Sequence, residues 1–481
     1  MSAREPIAEP PPDQSLAALC DLSSPPVTGV PDVIKSVGRI RPYTQSVSLW
    51  TELGFRENPY STTPIPPTKE GARLLVGRDK ELKQLTRLLE SSATHPTVEG
   101  DNGVGKTSLV GIAAYNLMHA AKPLTGAQLF IPLPDDFQIT PQDDLESFRR
   151  HVYFVIARAF IENHKLLRSH DLAVPDVDDV RKWLQSPLLS DYSGGATVLG
   201  MGAQGGRTTT INDADGFSES GFQTTIDAWL RDCFPSPQTG AFIGVIDNLE
   251  LLETSQKARA LLEALRDSVL RRQGLRWVLC GARGIVRSSA SSARLNGVLS
   301  EPIELGPISD NDIPSLVERR ITVYSDAPNA YVPVEERGFH YVYHILNRNL
   351  RDALRYCESF SFWMDEEKEF PDKSQERFDL FETWLALEAE KSLKATSNVK
   401  PRAWRVFDDL ATAGGSCSPS DFADFGFNSP MAFRAPVKTL EDANLVQSSK
   451  ADSDQRRKTI SVTARGWLVN HQRTGYANAP E

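Results

Sequence analysis

The sequence predicts an α/β protein in which a mostly parallel sheet is covered by helices, followed by a helical region and a small C-terminal winged helix-turn-helix. Three observations predict this fold. A glycine-rich loop at 100–107 joins an extended run to a helical one, strand-like and helix-like runs alternate up to residue 305, and the pattern turns purely helical from about residue 310 to 392. Such alternation is typical of parallel strands connected by helices.

Each predicted element of the sheet is a short apolar or extended run. The strand-like runs are 97–99, 128–133, 241–247, 275–281 and 302–305. The helix-like runs are 79–89, 108–118, 145–163 and 257–271, in which apolar residues recur at helical spacing. Strands therefore alternate with helices along the predicted core.

Composition and periodicity divide the chain into four segments. Residues 1–53 include a tract rich in Pro, Ser and Asp and predict a disordered tail. Residues 54–308 form the α/β core, interrupted at about 187–222 by a Gly/Thr-rich insertion that predicts a flexible segment or an exposed hairpin. Residues 309–397 predict a helical lid. Residues 398–475 give three helices and a two-stranded ribbon, the pattern of a winged helix.

The overall charge and the cysteines restrict the class of protein. The chain has 63 acidic and 53 basic residues and a net charge of −10, so any nucleic-acid contact must be local. No apolar run approaches the roughly 20 residues of a membrane span, and the start does not resemble a signal peptide. The five cysteines are scattered without a C-x-x-C pair. We expect a cytoplasmic protein with reduced thiols and no membrane contact.

Residues 100–107 hold a complete phosphate-binding loop, G-x-x-x-x-G-K-T. Its glycines allow backbone N–H groups to encircle phosphate oxygens, Lys106 adds a charge at the β- and γ-phosphates, and the Thr107 hydroxyl can coordinate Mg²⁺. The helix that follows points the positive end of its dipole at the triphosphate. The residues predicted to contact the nucleotide are Gly100, Asp101, Asn102, Gly103, Val104, Gly105, Lys106, Thr107 and Ser108. The motif predicts a site for ATP with Mg²⁺.

Asp247 ends a buried strand and is the expected partner of Lys106 and Thr107. A carboxylate there can hold Mg²⁺ through the water shell of the ion, so Thr107 and Asp247 are the predicted metal ligands. Hydrolysis also needs a group that activates water. The next residue is Asn248, whose amide cannot accept a proton at neutral pH. Glu250 is the candidate that would act on water indirectly, and we expect an ATPase of slow or regulated turnover.

The order of these motifs resembles AAA+ ATPases. The resemblance rests on the Val-Gly-Arg-Asp run at 76–79, the phosphate-binding loop, the Val-Ile-Asp-Asn run at 245–248 and the helical lid, and it covers about residues 54–470. The most similar groups are the origin-recognition (replication initiator) and helicase-loader ATPases and the related STAND ATPases. Members of these groups often carry a C-terminal winged helix. The resemblance implies a P-loop core of AAA+ type.

The resemblance also implies roles for particular side chains. It places Val76, Gly77 and Arg78 near the adenine, with Tyr60 from the preceding linker. Arg283 stands at the sensor 1 position, which reads the γ-phosphate. Arg351 opens the lid helix that bears sensor 2, where a cation would couple lid closure to the γ-phosphate by a charge-assisted contact. With Lys106, Asp247, Asn248 and Glu250, these two arginines complete the predicted catalytic set.

Two positions depart from the initiator pattern. Asn248 replaces the usual glutamate, and an Asp-Asn pair is familiar in STAND regulators. No arginine stands just before residues 300–304, where the arginine finger of an oligomer is often found, and Arg287 and Arg294 are the nearby substitutes. The sequence therefore leaves open whether the protein forms a homo-oligomer.

The predicted winged helix offers two basic groups. Arg434 and Lys438 share one face of its recognition helix and could meet DNA phosphates or base edges. Arg456, Arg457 and Lys458 at the wing tip suit the minor groove or its phosphates. Residues 398–481 carry 11 basic and 9 acidic side chains, a net charge of +2. Duplex DNA and a protein effector, as in a stress or defence response, stay open as partners.

His340 and His344 stand four residues apart on a predicted helix, which is the spacing of a zinc-binding pair. No glutamate follows His340, and the neighbours Phe339, Tyr341 and Tyr343 are aromatic. These neighbours favour packed histidines over metal ligands.

Overall fold

The structure is a computed structural model that describes residues 48–91, 93–121, 128–140, 143–178, 180–181, 219–252, 255–282, 284–450 and 458–475. A compact unit begins at Ser48. The predictions for residues 1–47, for most of the insertion, for Arg283 and for Arg456 and Arg457 lie outside these ranges.

A parallel sheet forms the core of this unit. Its strands are β1 (His95–Gly100), β2 (Leu129–Pro132), β3 (Phe137–Gln138), β4 (Gly240–Asp247), β5 (Leu275–Gly281) and β6 (Leu299–Leu305). They run in the order β2-β4-β5-β1-β6, and β3 pairs with the end of β4. All of these pairs are parallel. The carboxyl ends of β1 and β4 therefore lie at the same edge of the sheet, with β5 between the two strands.

Helices cover both faces of the sheet, as the alternating pattern predicts. They are α3 (Asp79–Ser91), α4 (Lys106–Ala120), α5 (Leu145–Glu162), α6 (His164–Ser169), α7 (Glu219–Cys233), α8 (Ser255–Leu265) and α9 (Ile285–Ala290). Leu85 of α3 and Leu109 of α4 are buried against one face of the sheet. Phe160 of α5 and Trp229 of α7 pack in a second apolar cluster with Trp277 of β5. Every residue of β4 is buried, as expected of a strand covered on both faces. The predicted α/β core with a mostly parallel sheet is confirmed by this sheet and its covering helices.

The lid follows the last strand. A 3₁₀ turn (Asp310–Asp312) leads into α10 (Ile313–Tyr324), α11 (Glu336–Ile345), α12 (Leu350–Glu367) and α13 (Ser374–Lys394). These helices share an apolar cluster with the N-terminal elements α1 (Leu49–Glu52) and α2 (Lys69–Leu74). The segment before the core therefore packs on the lid.

The C-terminal part combines helices with a small antiparallel sheet. Its elements are α14 (Pro401–Thr412), β7 (Ser416–Cys417), a 3₁₀ turn (Pro419–Ala423), α15 (Pro430–Asp442), β8 (Val446–Lys450), β9 (Lys458–Val462) and α16 (Ala464–Thr474). The strands pair in the order β7-β9-β8. Phe407, Phe433 and Leu440 fill its own apolar cluster.

Two boundaries and one helix differ from the sequence prediction. Residues 48–53 belong to the folded part and not to the tail, because Trp50 and Leu53 are buried against the lid. The insertion ends before Glu219, where α7 begins, and Phe222 is buried in the core. Helix α16 was not predicted. It joins the lid to the C-terminal part, since Leu468 packs with the lid and Val469 with the C-terminal cluster.

None of the helices in the described part of the chain combines the length and the apolar character needed to cross a membrane.

Candidate nucleotide-binding site

The glycine-rich loop lies between β1 and α4 at the carboxyl edge of the sheet. Gly103 and Gly105 have positive φ angles of 86° and 98°, which glycine adopts without strain. A side chain at Gly100 would come within 2.7 Å of the Leu305 carbonyl oxygen. The loop thus needs glycine at these positions for its turn and for its close packing. Lys106 is buried, and its Nζ donates to the carbonyl oxygens of Gly100 and Asp101 at 2.9 and 3.3 Å.

Thr107 and Asp247 are in direct contact beside this loop. Thr107 Oγ1 donates a hydrogen bond of 2.6 Å to Asp247 Oδ2, and Asp247 Oδ1 accepts from the backbone N–H of Asn248 at 2.8 Å. Asp247 is buried at the end of β4. A hydroxyl and a carboxylate held side by side are hard oxygen donors of the kind that Mg²⁺ prefers. The donor set therefore fits the predicted ion.

The residue after Asp247 has an unusual backbone conformation. Asn248 has a φ of 55° and lines the cleft beside the loop, and asparagine is among the residues that tolerate this left-handed region. Glu250 lies in the 3₁₀ turn Leu249–Leu252 that follows. The side chain of Glu250 is outside the described part, so its role stays a prediction.

A further acidic residue lies next to β4. Gln138 of β3 stands opposite Asp247, and Asp136 directly precedes β3. Loss of solvation, followed by the charges of Asp247 and Asp135, raises the pKa of Asp136 to about 6. Asp136 could not be predicted from the sequence, because only the pairing of β3 with β4 brings it near Asp247.

The lid contacts the loop through the start of α12. Asn349 Nδ2 donates to the Asn102 carbonyl oxygen at 3.4 Å, and a side chain placed on Gly103 would come within 2.8 Å of Arg351 Cβ. Arg351 lines the cleft. Two successive non-glycine residues, Asn347 and Arg348, have positive φ angles of 52° and 61° in the turn before it. Such strain is tolerated where the surrounding structure fixes the turn.

The rest of the cleft lining is largely apolar. Its lining comprises Thr62, Thr63, Pro64, Ile65, Leu74, Leu75, Val76, Val104, Ile308, Leu316, Leu350 and Leu354. Val76 and Arg78 line the cleft, whereas Gly77 faces Asp312, whose Oδ2 would lie 2.8 Å from an added Cβ. The contact of these three residues with adenine stays a prediction. Arg78 Nη2 donates to the carbonyl oxygens of Val104 and Gly306 at 3.1 and 2.6 Å, and burial lowers the pKa of this guanidinium. Arg78 thus links the glycine-rich loop, at Val104, to Gly306, which follows β6.

Tyr60 does not line this cleft, which corrects the sequence expectation. Its side chain is buried in the lid cluster, and its hydroxyl donates to the Val334 carbonyl oxygen at 2.7 Å. The residues immediately after Tyr60, at 61–65, line the cleft instead. An aromatic side chain with a polar end suits a base pocket and a lid core equally well, so the residue type alone could not decide.

Arg320 of α10 is a cleft residue that the sequence did not reveal. It is buried, and it donates from Nε to the Pro59 carbonyl oxygen at 2.7 Å and from Nη2 to the Ser61 carbonyl oxygen at 2.5 Å. Burial lowers the pKa of Arg320. Ile65 N–H in turn donates to Ser108 Oγ at 3.0 Å. Arg320 therefore ties the lid to the segment that walls the cleft.

Glu99 is a third residue found only in the structure. It is buried at the end of β1, and its carboxylate accepts from Gly284 N–H at 2.5 Å and from Arg287 N–H at 3.3 Å. Arg287 also pairs with Glu304. Glu99 thus anchors the chain immediately after Arg283. Arg294, the other substitute considered for an arginine finger, accepts at its carbonyl oxygen from Arg266 Nη1 at 3.4 Å.

The basic residues predicted for the C-terminal domain are described in part. Arg434 and Lys438 are exposed on α15, next to Met431, whose side chain is 83% exposed. Lys458 begins β9, where it stands opposite Lys450, but its side chain is not described.

Fold and site together define a P-loop nucleotide-binding protein with a helical lid. No protein-family model matches the chain, and no curated protein matches it. Solved structures do. The ORC1 protein of Aeropyrum pernix in complex with DNA is 13% identical, with 87% of this chain and 97% of that chain covered at a TM-score of 0.40.

Two further solved structures are similar to the chain. The ORC2 protein of Aeropyrum pernix, in ADPNP-ADP complexes, is 10% identical, with 87% and 98% of the two chains covered at a TM-score of 0.42. A Walker-type ATPase of Pyrococcus abyssi is 12% identical, with 86% and 99% covered at a TM-score of 0.41.

Proposed function

We propose that this protein is a Mg²⁺-dependent, ATP-binding switch of AAA+ type with slow or regulated hydrolysis. The observation that carries the proposal is the arrangement of three groups around one loop. Lys106 and the glycines form the loop, Thr107 and Asp247 meet at its side, and Arg351 approaches it from the lid. Triphosphate, metal ion and lid would therefore act on the same few residues.

The site would hold ATP with its triphosphate in the loop and its base toward the apolar lining of the cleft. Thr107 and Asp247 would hold Mg²⁺, which neutralises phosphate charge when bound. The backbone N–H groups of the loop and the N-terminus of α4 would bind the phosphate oxygens. Val76 and residues 61–65 would contact the base.

Switching follows from the position of Arg351 on the lid. A ligand changes the balance of two conformations only through a difference in its affinity for them. A γ-phosphate would attract the Arg351 guanidinium and favour the closed lid, whereas ADP lacks that group. Helix α16 would transmit the lid position to the C-terminal part, since Arg465 Nη2 donates to the Ser392 carbonyl oxygen at 3.3 Å and Arg473 pairs with Asp408.

Slow hydrolysis follows from the residue that succeeds Asp247. The amide of Asn248 cannot accept a proton, so water would have to be activated from elsewhere. Glu250 and Asp136 are the two acidic candidates near the end of β4.

Docking on duplex DNA, in the manner of an initiator or helicase loader, is the role proposed for the C-terminal domain. Its support is the exposed pair Arg434 and Lys438 on α15, treated as the recognition helix of a winged helix. The second candidate is a STAND-like signalling ATPase that docks a protein effector. One observation favours it: Met431 is 83% exposed on the same face, and exposed methionine is common at protein-binding surfaces.

A salt titration of duplex DNA binding separates these two roles. Fluorescence anisotropy would be measured for wild type, Arg434→Ala and Lys438→Ala, with Lys394→Ala on the lid as the matched control. Docking on DNA predicts that affinity falls steeply with salt, and that each α15 variant lowers the slope of log K against log salt by about 1. No binding at low salt, or equal slopes for all four proteins, would exclude DNA docking by α15 and favour the effector role.

A further inference from the structure

Two histidines and an aspartate converge where the core passes into the lid. His340 and His344 lie one turn apart on α11, and Asp310 begins the 3₁₀ turn before α10. The spacing of four residues puts both imidazoles on the same side of the helix. Their rings are 4.5 Å apart, centre to centre. The sequence showed the histidine pair, but only the folded chain adds a third donor to it.

The three donor atoms have the separations of a tetrahedral metal site. His344 Nε2 is 3.2 Å from His340 Nε2 and 3.1 Å from Asp310 Oδ1, and His340 Nε2 is 3.9 Å from the same oxygen. Zinc binds imidazole nitrogen and carboxylate oxygen at about 2.0–2.1 Å, which puts the ligand atoms of a tetrahedral site about 3.3 Å apart. Two of the three separations are within a few tenths of an ångström of this value. The third, 3.9 Å between His340 Nε2 and Asp310 Oδ1, exceeds it by a distance that a small rotation of either side chain would remove.

Asp310 supplies a second, independent observation. Its Oδ1 is shielded from solvent and lies 3.1 Å from His344 Nε2, a ring nitrogen that is also 3.2 Å from His340 Nε2. Its Oδ2 accepts from Arg348 Nη2 at 2.6 Å. One ring nitrogen carries at most one proton, so His344 Nε2 cannot donate fully to both of these neighbours, and an ion between the three atoms would satisfy all of them. A partner that orients the carboxylate from outside, as Arg348 does, is common for metal-binding carboxylates.

We propose that His340, His344 and Asp310 bind a divalent zinc-class cation through the two Nε2 atoms and Oδ1. Imidazole ligands select zinc and similar transition metals over Mg²⁺, so this site is distinct from the one at Thr107 and Asp247. The three side chains keep 31%, 20% and 39% of their surface exposed, respectively for His340, His344 and Asp310, so water can take the fourth position.

The bound ion would join the first turn of the lid to α11. Arg348, which holds Asp310, lies in the strained turn that leads to α12. Metal binding is therefore expected to stabilise the lid against unfolding, because an ion that binds only the folded protein raises its stability.

The test is a metal titration of the full chain, freed of metal by a chelator and kept without nucleotide and Mg²⁺. Co²⁺ serves as the spectroscopic probe and Zn²⁺ as the competitor. We expect wild type to bind one Co²⁺ with the intense visible absorption of a tetrahedral complex, without a sulfur-to-cobalt charge-transfer band, and to release it to Zn²⁺. The missing band excludes binding by cysteine.

Conservative variants assign the ligands. His344→Gln and Asp310→Asn are expected to weaken Zn²⁺ binding by 10-fold or more, since loss of a ligand costs at least as much as loss of an outer contact, which is about 10–100-fold. His119→Gln, at an exposed histidine of α4, is the matched control and should bind as wild type does. Zn²⁺ should raise the melting temperature of wild type and of His119→Gln, but not that of His344→Gln or Asp310→Asn. The absence of a tetrahedral Co²⁺ signal in wild type would overturn the proposal, whether or not the variants fold. Unchanged Zn²⁺ binding by Asp310→Asn would also overturn it.

Discussion

Thr107 and Asp247 share a hydrogen bond of 2.6 Å although they lie on different elements, α4 and β4. The contact exists because β1 and β4 end at the same edge of a parallel sheet. It brings together two oxygen donors suited to Mg²⁺ at the mouth of the glycine-rich loop. The two residues are far apart in sequence, and the topology of the sheet brings them together.

Removal of the Asp247 charge is expected to abolish the Mg²⁺ dependence of nucleotide binding. Asp247→Asn keeps the shape and the contact to Thr107 but leaves no carboxylate for the ion. We expect ATP turnover to fall by about 100-fold or more, because metal assistance supplies several kcal/mol to such reactions. Steady-state hydrolysis and binding with and without Mg²⁺ measure this. Asp267→Asn, at an exposed carboxylate, is the control, and equal Mg²⁺ dependence in all three proteins would contradict the assignment.

Arg351 should make the site prefer ATP over ADP. In Arg351→Ala the charge-assisted contact to the γ-phosphate is lost, which costs about 1.5–3 kcal/mol and therefore lowers the ratio of ATP to ADP affinity by about 10–100-fold. Arg355→Ala is the matched control, since Arg355 lies one turn further along α12 and pairs with Asp352. Competition binding with both nucleotides gives the ratio. A ratio that stays at the wild-type value in Arg351→Ala would remove this residue from the switch.

Three substitutions identify the group that activates water. Glu250→Gln and Asp136→Asn each remove one acidic candidate, and a decrease in turnover of about 10²–10⁴-fold is expected for the residue that acts as general base. Asn248→Glu restores the acid at the position after Asp247 and is expected to increase turnover. Asp267→Asn, at an exposed carboxylate that pairs with Arg266, is again the control. Single-turnover hydrolysis is the measurement, and full activity in both Glu250→Gln and Asp136→Asn would exclude both candidates.

His95 makes the fold sensitive to acid. Burial lowers the pKa of His95 to about 4, while its Nε2 lies 2.6 Å from the Leu270 carbonyl oxygen. The unfolded chain takes up the proton first as the pH falls, so the stability is complete above about pH 6.5 and is lost towards pH 4, by on the order of 3 kcal/mol. Urea unfolding across this range should show a smaller loss for His95→Gln than for wild type. His119→Gln, with an exposed histidine, should keep the wild-type dependence, and equal pH dependence in all three proteins would contradict this role.

The sequence predicted the parts of the site that depend on local pattern. The loop at 100–107 follows from its motif, and Asp247 follows from an apolar run of strand length that ends in a carboxylate. Arg351 could be placed because the family resemblance puts the start of a lid helix at residues 346–351. In each case the information lies within a few residues of the side chain.

The remaining site residues could not be predicted, because their roles arise from contacts between distant segments. Arg320 binds the carbonyl oxygens at Pro59 and Ser61, and Glu99 binds the backbone at Gly284. Backbone acceptors and donors are present at every position, so no residue pattern marks such partners. Tyr60 was assigned to the cleft for the same reason, since its residue type does not reveal that the hydroxyl faces Val334.

The most direct test is calorimetry of Mg·ATP binding to the folded protein, with Lys106→Ala and, as the matched control, Lys83→Ala at an exposed position of α3. Loss of the Lys106 charge removes a contact to phosphate worth about 1.5–3 kcal/mol, so the affinity should fall by about 10–100-fold. We predict one site per chain in wild type and in Lys83→Ala, and weakened binding in Lys106→Ala. Folded wild-type protein that takes up no Mg·ATP would contradict the assignment of the loop.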